Sequence, residues 1–238
     1  MIKVYTQKRL TFQTDILPAR GSGKYYGGLW ESTLAQDLLW ISVLHLGALK
    51  PRRPLSYVAP SFLWASVSGP ISFIDVSDAK KFKQTFEIEN IQLEPKGGDS
   101  LGQLKAGQLT ITAPRIVGKY VNSFHEARPT EWLLPGFKSG TECFWATGKA
   151  KHANSDSFRH HIYYRDAEFE RSLISGEICF VQLFAACAAH DATTYAMVLV
   201  KERNTSVFGG SIYRRLGIIT TLEKRWFTEG NKEVFHII

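Results

Sequence analysis

Apolar and polar residues alternate with a period of two along several stretches of this chain, as strands with one buried face require. The clearest run is Phe86-Glu87-Ile88-Glu89-Asn90-Ile91-Gln92-Leu93-Glu94, whose parity slips at Asn90-Ile91 and so marks a β-bulge. A second run, Gln108 to Ala113, sets Leu109, Ile111 and Ala113 on one face. Phe62 to Ser68 alternates as well, turns at Gly69-Pro70 and returns at Ile71-Ser72-Phe73. Late strands are expected at Ile162–Tyr164, Glu177–Leu183, Thr194–Val200 and Tyr213–Ile219, spaced as an antiparallel meander.

One segment departs from this period. Leu34, Leu38 and Ile41 recur in three- and four-residue steps, which predicts a helix over 29–46 with Ser32 as its N-cap. The run Leu38-Leu39-Trp40-Ile41 also suits the opening of a buried strand. Gly21-Ser22-Gly23 and Gly27-Gly28 read as a flexible connection, and Pro51, Pro54 and Pro60 end regular structure. Residues 122–160, with Pro129, Pro135 and the polar run Lys149 to Asp156, read as a long irregular loop or lid region. The fold class that follows is mainly β, an antiparallel β-barrel or sandwich with one main N-terminal helix and a long irregular middle loop. Residues 1–238 are read as a single domain.

Composition narrows the function classes. Hydrophobic residues make up 44% of the 238 positions, which suits an ordinary core, and a 13% aromatic share suits strands and concave pockets. The net charge is +7, but the basic groups Lys50-Pro51-Arg52-Arg53, Lys80-Lys81-Phe82-Lys83 and Arg214-Arg215 are too short for a nucleic-acid tract. Neither a nucleic acid nor a membrane is expected as partner. The three cysteines, Cys143, Cys179 and Cys187, show no metal-type spacing and make no even-numbered disulfide framework. Cys179 and Cys187 read as small core residues, and a reducing, cytoplasmic setting follows. No metal and no cofactor is expected.

Candidate chemistry is sparse. Trp64, with Phe62, reads first as core and second as the wall of an apolar pocket. His160-His161 with Tyr163-Tyr164 is the richest polar-aromatic group. Adjacent histidines on a strand take opposite sides, so only one of the pairs His161 with Tyr163 or His160 with Tyr164 can face an interior. Because Tyr164 leads into Arg165-Asp166, His161 and Tyr163 are the expected inward pair and the catalytic candidates. Trp64, Trp145 and His160 are the ligand-binding candidates. Cys143, with His125 or His152, would make a nucleophile pair, but no orienting third residue is assignable from the sequence. Gly21-Ser22-Gly23-Lys24 lacks the spacing of a phosphate loop.

Five segments follow one another along the chain: Arg9 to Ala19, Tyr26-Gly27-Gly28-Leu29-Trp30-Glu31-Ser32 with Leu38-Leu39-Trp40, Pro60 to Pro70, Gly102 to Ile111, and Tyr195 to Leu199 through Tyr213-Arg214-Arg215-Leu216-Gly217. In this order they resemble the C-terminal region of fungal heterokaryon-incompatibility (HET) proteins. Phe62 stands where the family pattern has a tryptophan. The resemblance implies a freestanding module without the family's N-terminal TIR-like domain, hence no NAD cleavage, binding a protein partner or a ligand. The alternative is a cofactor-independent, pericyclase-like isomerase or cyclase of secondary metabolism, holding a hydrophobic small molecule in a β-barrel pocket.

Overall fold

The alternating runs do become strands, and most of them join one sheet. The computed structural model describes residues 23–42, 52–97, 103–121, 131–133, 143–146, 149–152, 160–165, 177–187, 193–202, 210–221, 227 and 232–238. The N-terminal part holds a hairpin of β1 (Tyr25–Tyr26) and β2 (Leu29–Trp30), a single turn α1 (Leu34–Asp37), and β3 (Trp40–Ser42) paired with β4 (Ile71–Phe73). The large sheet follows: β5 (Phe82–Gln84), β6 (Glu87–Pro95), β7 (Leu104–Val121), β8 (Glu131–Leu133), β9 (Cys143–Ala146), β10 (Lys149–His152), β11 (His160–Arg165), β12 (Glu177–Ala186), β13 (Thr194–Lys201), β14 (Ile212–Thr221) and β15 (Lys232–Ile237).

Pairings run from β7 to β12, β13, β14, β15 and back to β7, so the sheet is ring-like. Within this ring β14 and β15 pair in parallel, at Ile212↔His236 and Tyr213↔Ile237, and the other neighbours are antiparallel. From β14 the sheet extends outward through β11 and β10 to β9.

One side of the ring and the N-terminal part share a core. Leu109, Ile111 and Ala113 of β7, Cys179, Val181 and Leu183 of β12, Met197 and Leu199 of β13, and Phe235 and Ile237 of β15 are all fully buried. They pack with Leu38, Leu39, Trp40, Phe62 and Leu63 from the N-terminal part. Each of the Leu, Ile, Val, Met and Phe side chains contributes roughly 1.5–3 kcal/mol on burial. The opposite parity of β12 and β13 is buried too, at Ile178, Phe180, Ala196, Val198 and Val200. Burial on both faces explains why these strands read as near-continuous apolar runs.

The structure corrects several expectations. The helix over 29–46 is one turn within the described residues, flanked by strands, and its N-cap is Thr33 rather than Ser32. Leu38, Leu39 and Trp40 are all 0% exposed, and three consecutive buried positions cannot lie on one helical stripe. The alternation at Phe62–Ser68 is not a strand either. Pro60 O accepts from Leu63 N–H and Leu63 O from Ser66 N–H, so the run coils into a 3₁₀ turn at Trp64–Ser66 with both parities buried. Gly27-Gly28 is no flexible connection but a tight turn with φ of 58° and 104°. A Cβ on Gly28 would stand 2.7 Å from Trp64 Nε1.

The middle region also carries strands. β8 pairs with β7, and β9 and β10 pair with each other within 122–160. Short runs such as Cys143-Phe144-Trp145-Ala146 suit a strand but are too brief for a period to stand out. Apart from His160, which opens β11, the rest of 122–160 lies outside the described residues, as do residues 43–46 of the expected helix. The bulge expected near Asn90 falls between Ile88 and Asn90.

Candidate functional site

Two places gather polar or reactive groups. The first is a buried node where the N-terminal part meets β14. A register shift opposite Val198/Leu199 inserts Leu216 as an extra residue, so Arg215, Tyr213 and Ile218 turn to the same core. Arg215 is 0% exposed. Its Nη1 donates to Leu38 O at 2.6 Å and its Nη2 to Trp40 O at 2.5 Å. The guanidinium lies 3.7 Å from the centre of the Trp40 ring, in cation–π stacking. Trp40 Nε1 in turn donates to Phe62 O at 2.8 Å.

The backbone of Arg215 is tied down as well. Its N–H donates to Ser61 Oγ at 2.9 Å, and its carbonyl accepts from Arg53 Nη2 at 2.7 Å. Ser61 Oγ donates to the main-chain oxygen of Ile238, and Arg53 Nη1 donates to Ser66 Oγ at 2.9 Å. Almost every acceptor here is a backbone carbonyl or a serine hydroxyl. The node is therefore a clamp, and its groups are spent on holding main chain.

Trp64, read first as core and second as a pocket wall, is a buried residue beside this clamp. It is 5% exposed, and its Nε1 donates to Gly28 O at 3.3 Å. Outside these two places, one small polar contact was not legible in the sequence. β7–β15 pairing sets Thr110 opposite His236, with Thr110 Oγ1 at 3.1 Å and Gln108 Nε2 at 3.2 Å from His236 Nδ1. These residues are more than a hundred positions apart, so no local pattern could join them.

The second place is the β9–β10–β11 extension. Its backbone register aligns Trp145, Ala150 and His161 in one row, and Phe144, Lys151 and His160 in the next. Tyr163 pairs with Ile219 of β14, so this row pattern is continuous with the ring. Three of the candidates, Trp145, His160 and His161, are thus brought together with Tyr163, whereas Trp64 belongs to the clamp. The choice of His161 with Tyr163 as the inward pair concerns side chains outside the described ones. Cys143 and His152, set aside in the sequence, are direct cross-strand partners. Of the other cysteines, Cys179 is buried but Cys187 is exposed, so Cys187 is not the core residue expected.

Half-buried ionisable groups elsewhere show the effect of lost hydration. Burial raises the Asp37 carboxyl above its ordinary value, against the hydrogen bond from Thr33 Oγ1 at 2.6 Å. Burial pushes the Tyr57 phenol up to about 12. Among the described residues no three His, Cys, Asp or Glu side chains gather as a metal site, and no helix is long and apolar enough to cross a membrane.

Fold and site together define a mainly β protein with a ring-like sheet, an N-terminal part clamped onto it and a strand extension bearing aromatic, imidazole and thiol residues. Compared with protein-family models, with curated proteins and with solved structures, the chain gives no match.

Proposed function

We propose that this chain is a HET-like recognition module that binds a protein partner or a ligand and has no TIR-type catalysis. We read its ring-like sheet as a small β-barrel closed on one side by the N-terminal part. The observation that carries this is the fate of the buried polar groups. Arg215, Arg53, Ser61, Ser66 and the indoles of Trp40 and Trp64 bond backbone or one another, which builds a rigid scaffold rather than a reaction centre. Rigid scaffolds of this kind present binding surfaces on their outer strands and loops. The unbridged Cys179 and Cys187 suit a reducing, cytoplasmic setting.

A domain exchange tests the reading. Placed behind the N-terminal domain of a HET protein, in place of that protein's own C-terminal region, the chain is expected to sustain the incompatibility response. A fusion that is expressed and folded yet silent removes the proposal.

A second reading, a cofactor-free isomerase or cyclase for an apolar metabolite, is favoured by the row Trp145–Ala150–His161 and by Tyr163 beside the ring. By backbone register an aromatic residue, an imidazole-bearing residue and a phenol-bearing residue fall on one patch of sheet. Turnover of such a substrate that survives His161→Ala combined with Tyr163→Phe would exclude these two residues as its catalytic groups.

A further inference from the structure

β6 is an edge strand. Among the described residues it pairs with β7 and with no strand on its other side. Alternate residues of such a strand turn their N–H and C=O away from the sheet, a template for one more strand. Its side chains divide into two rows. Ile88, Ile91 and Leu93 pack against the core yet stay only partly buried, whereas Leu109 and Ile111 of β7, flanked by β6 and β15, are fully buried. The free edge is what leaves the β6 row half-covered. Glu87, Asn90, Gln92 and Glu94 are exposed, as is Glu89 in the bulge, so β6 holds three glutamates and no cation. Glu94 meets Lys105 of β7 at 2.6 Å and Glu87 meets Lys232 of β15 at 3.0 Å, each through Oε1. Both lysines stand on the β7 side, away from the free edge. Lys83 and Lys96 fall outside the strand at its two ends.

We propose that the free edge of β6 takes up an extended segment of a partner protein in which basic and apolar residues alternate. The segment pairs along Asn90–Glu94, the regular stretch between the bulge and Pro95, whose missing N–H ends the ladder. Its apolar residues cover Ile91 and Leu93 and complete their burial. Its lysines or arginines, on the opposite face, meet the carboxylates of Glu89 and Glu94. A second copy of this chain is a poor occupant, because β6 against β6 brings three glutamates from each copy onto one seam. The charges that turn a second copy away are the ones that select a cationic strand. The proposal goes beyond the recognition reading and stands apart from the HET resemblance, since a chain silent in the domain exchange can still bind such a segment.

The probe is an end-capped octapeptide alternating lysine and valine. Its controls are an octapeptide alternating glutamate and valine, and one with its lysines in one block and its valines in the next. Added in excess to the 238-residue chain, the alternating basic peptide is expected to slow amide exchange within residues 90–94 on the order of tenfold. Glu89→Lys combined with Glu94→Lys, both at exposed positions, should weaken its binding on the order of tenfold, as the loss of two cross-strand charge pairs requires. Glu89→Gln with Glu94→Gln serves the same comparison, with a smaller fall, if the lysine variant does not fold. Protection that is absent from 90–94, or centred on another strand, overturns the edge as the site. Equal protection by the glutamate peptide overturns the charge selection, and equal protection by the block peptide overturns the alternation. Protection of 90–94 that is present without peptide and fades on dilution makes a second copy the occupant and overturns the partner.

Discussion

A guanidinium withdrawn from water loses strong hydration, and Arg215 recovers it through two carbonyls and the face of Trp40. Arg215→Ala leaves Leu38 O and Trp40 O without these donors and opens a cavity under the indole. A loss on the order of 3–5 kcal/mol in urea unfolding is expected. Arg215→Lys should recover less than half of that, because a single ammonium cannot hold both carbonyls in the plane of the ring. Asp37 illustrates the opposite sign. Its folded-state pKa is raised by burial, so its ionisation is disfavoured in the fold. That cost is fully present above the folded pKa and is relieved as pH falls through it towards the unfolded value. Asp37→Asn keeps an acceptor for Thr33 and should raise Tm at pH 7 by about 1–3 °C, with the gain vanishing near pH 3. A gain that persists at pH 3 would place its origin elsewhere.

At the scale of elements, β15 decides whether the sheet closes. It pairs with β7 along Lys232 to Ile237 and meets β14 only at Ile212 and Tyr213. Phe235 and Ile237 are fully buried, and Phe235 stacks edge-on against Tyr213 at 5.2 Å. Phe235→Ala is expected to cost about 3–5 kcal/mol and to speed hydrogen exchange in β7 and β14 more than in β6. Uniform acceleration across the sheet would argue that β15 is not the closing element. Periodicity pointed to β6, β7, β12, β13 and β14, whose runs are long enough for a period to show. It did not point to β15, whose one short alternation follows a polar stretch, nor to β9 and β10, which are shorter still. Over the described part of 29–46 the helical steps amount to one turn, and the three successive buried residues Leu38, Leu39 and Trp40 lead into β3, the buried strand that this run also suited.

At the scale of the molecule, local order alone specifies that this chain is mainly β, where its longest strands run and where β6 bulges. Those features depend on residues within a few positions of each other, and the period of two makes them visible. The candidate chemistry was partly legible for the same reason, since His160, His161 and Tyr163 are neighbours in sequence. Tertiary structure decided the rest. It gave Trp64, read first as core, its bond to Gly28, and it made Arg215 of β14 the clamp for Leu38 and Trp40. Pairing also set Cys143 against His152, Trp145 in the row of His161, and Thr110 beside His236. The strand pairings follow from register, and the placement of Arg215 follows from a one-residue shift in β14. Register is set by which strands meet and how the whole core fills, and that information is spread over the entire chain rather than written in any window of it.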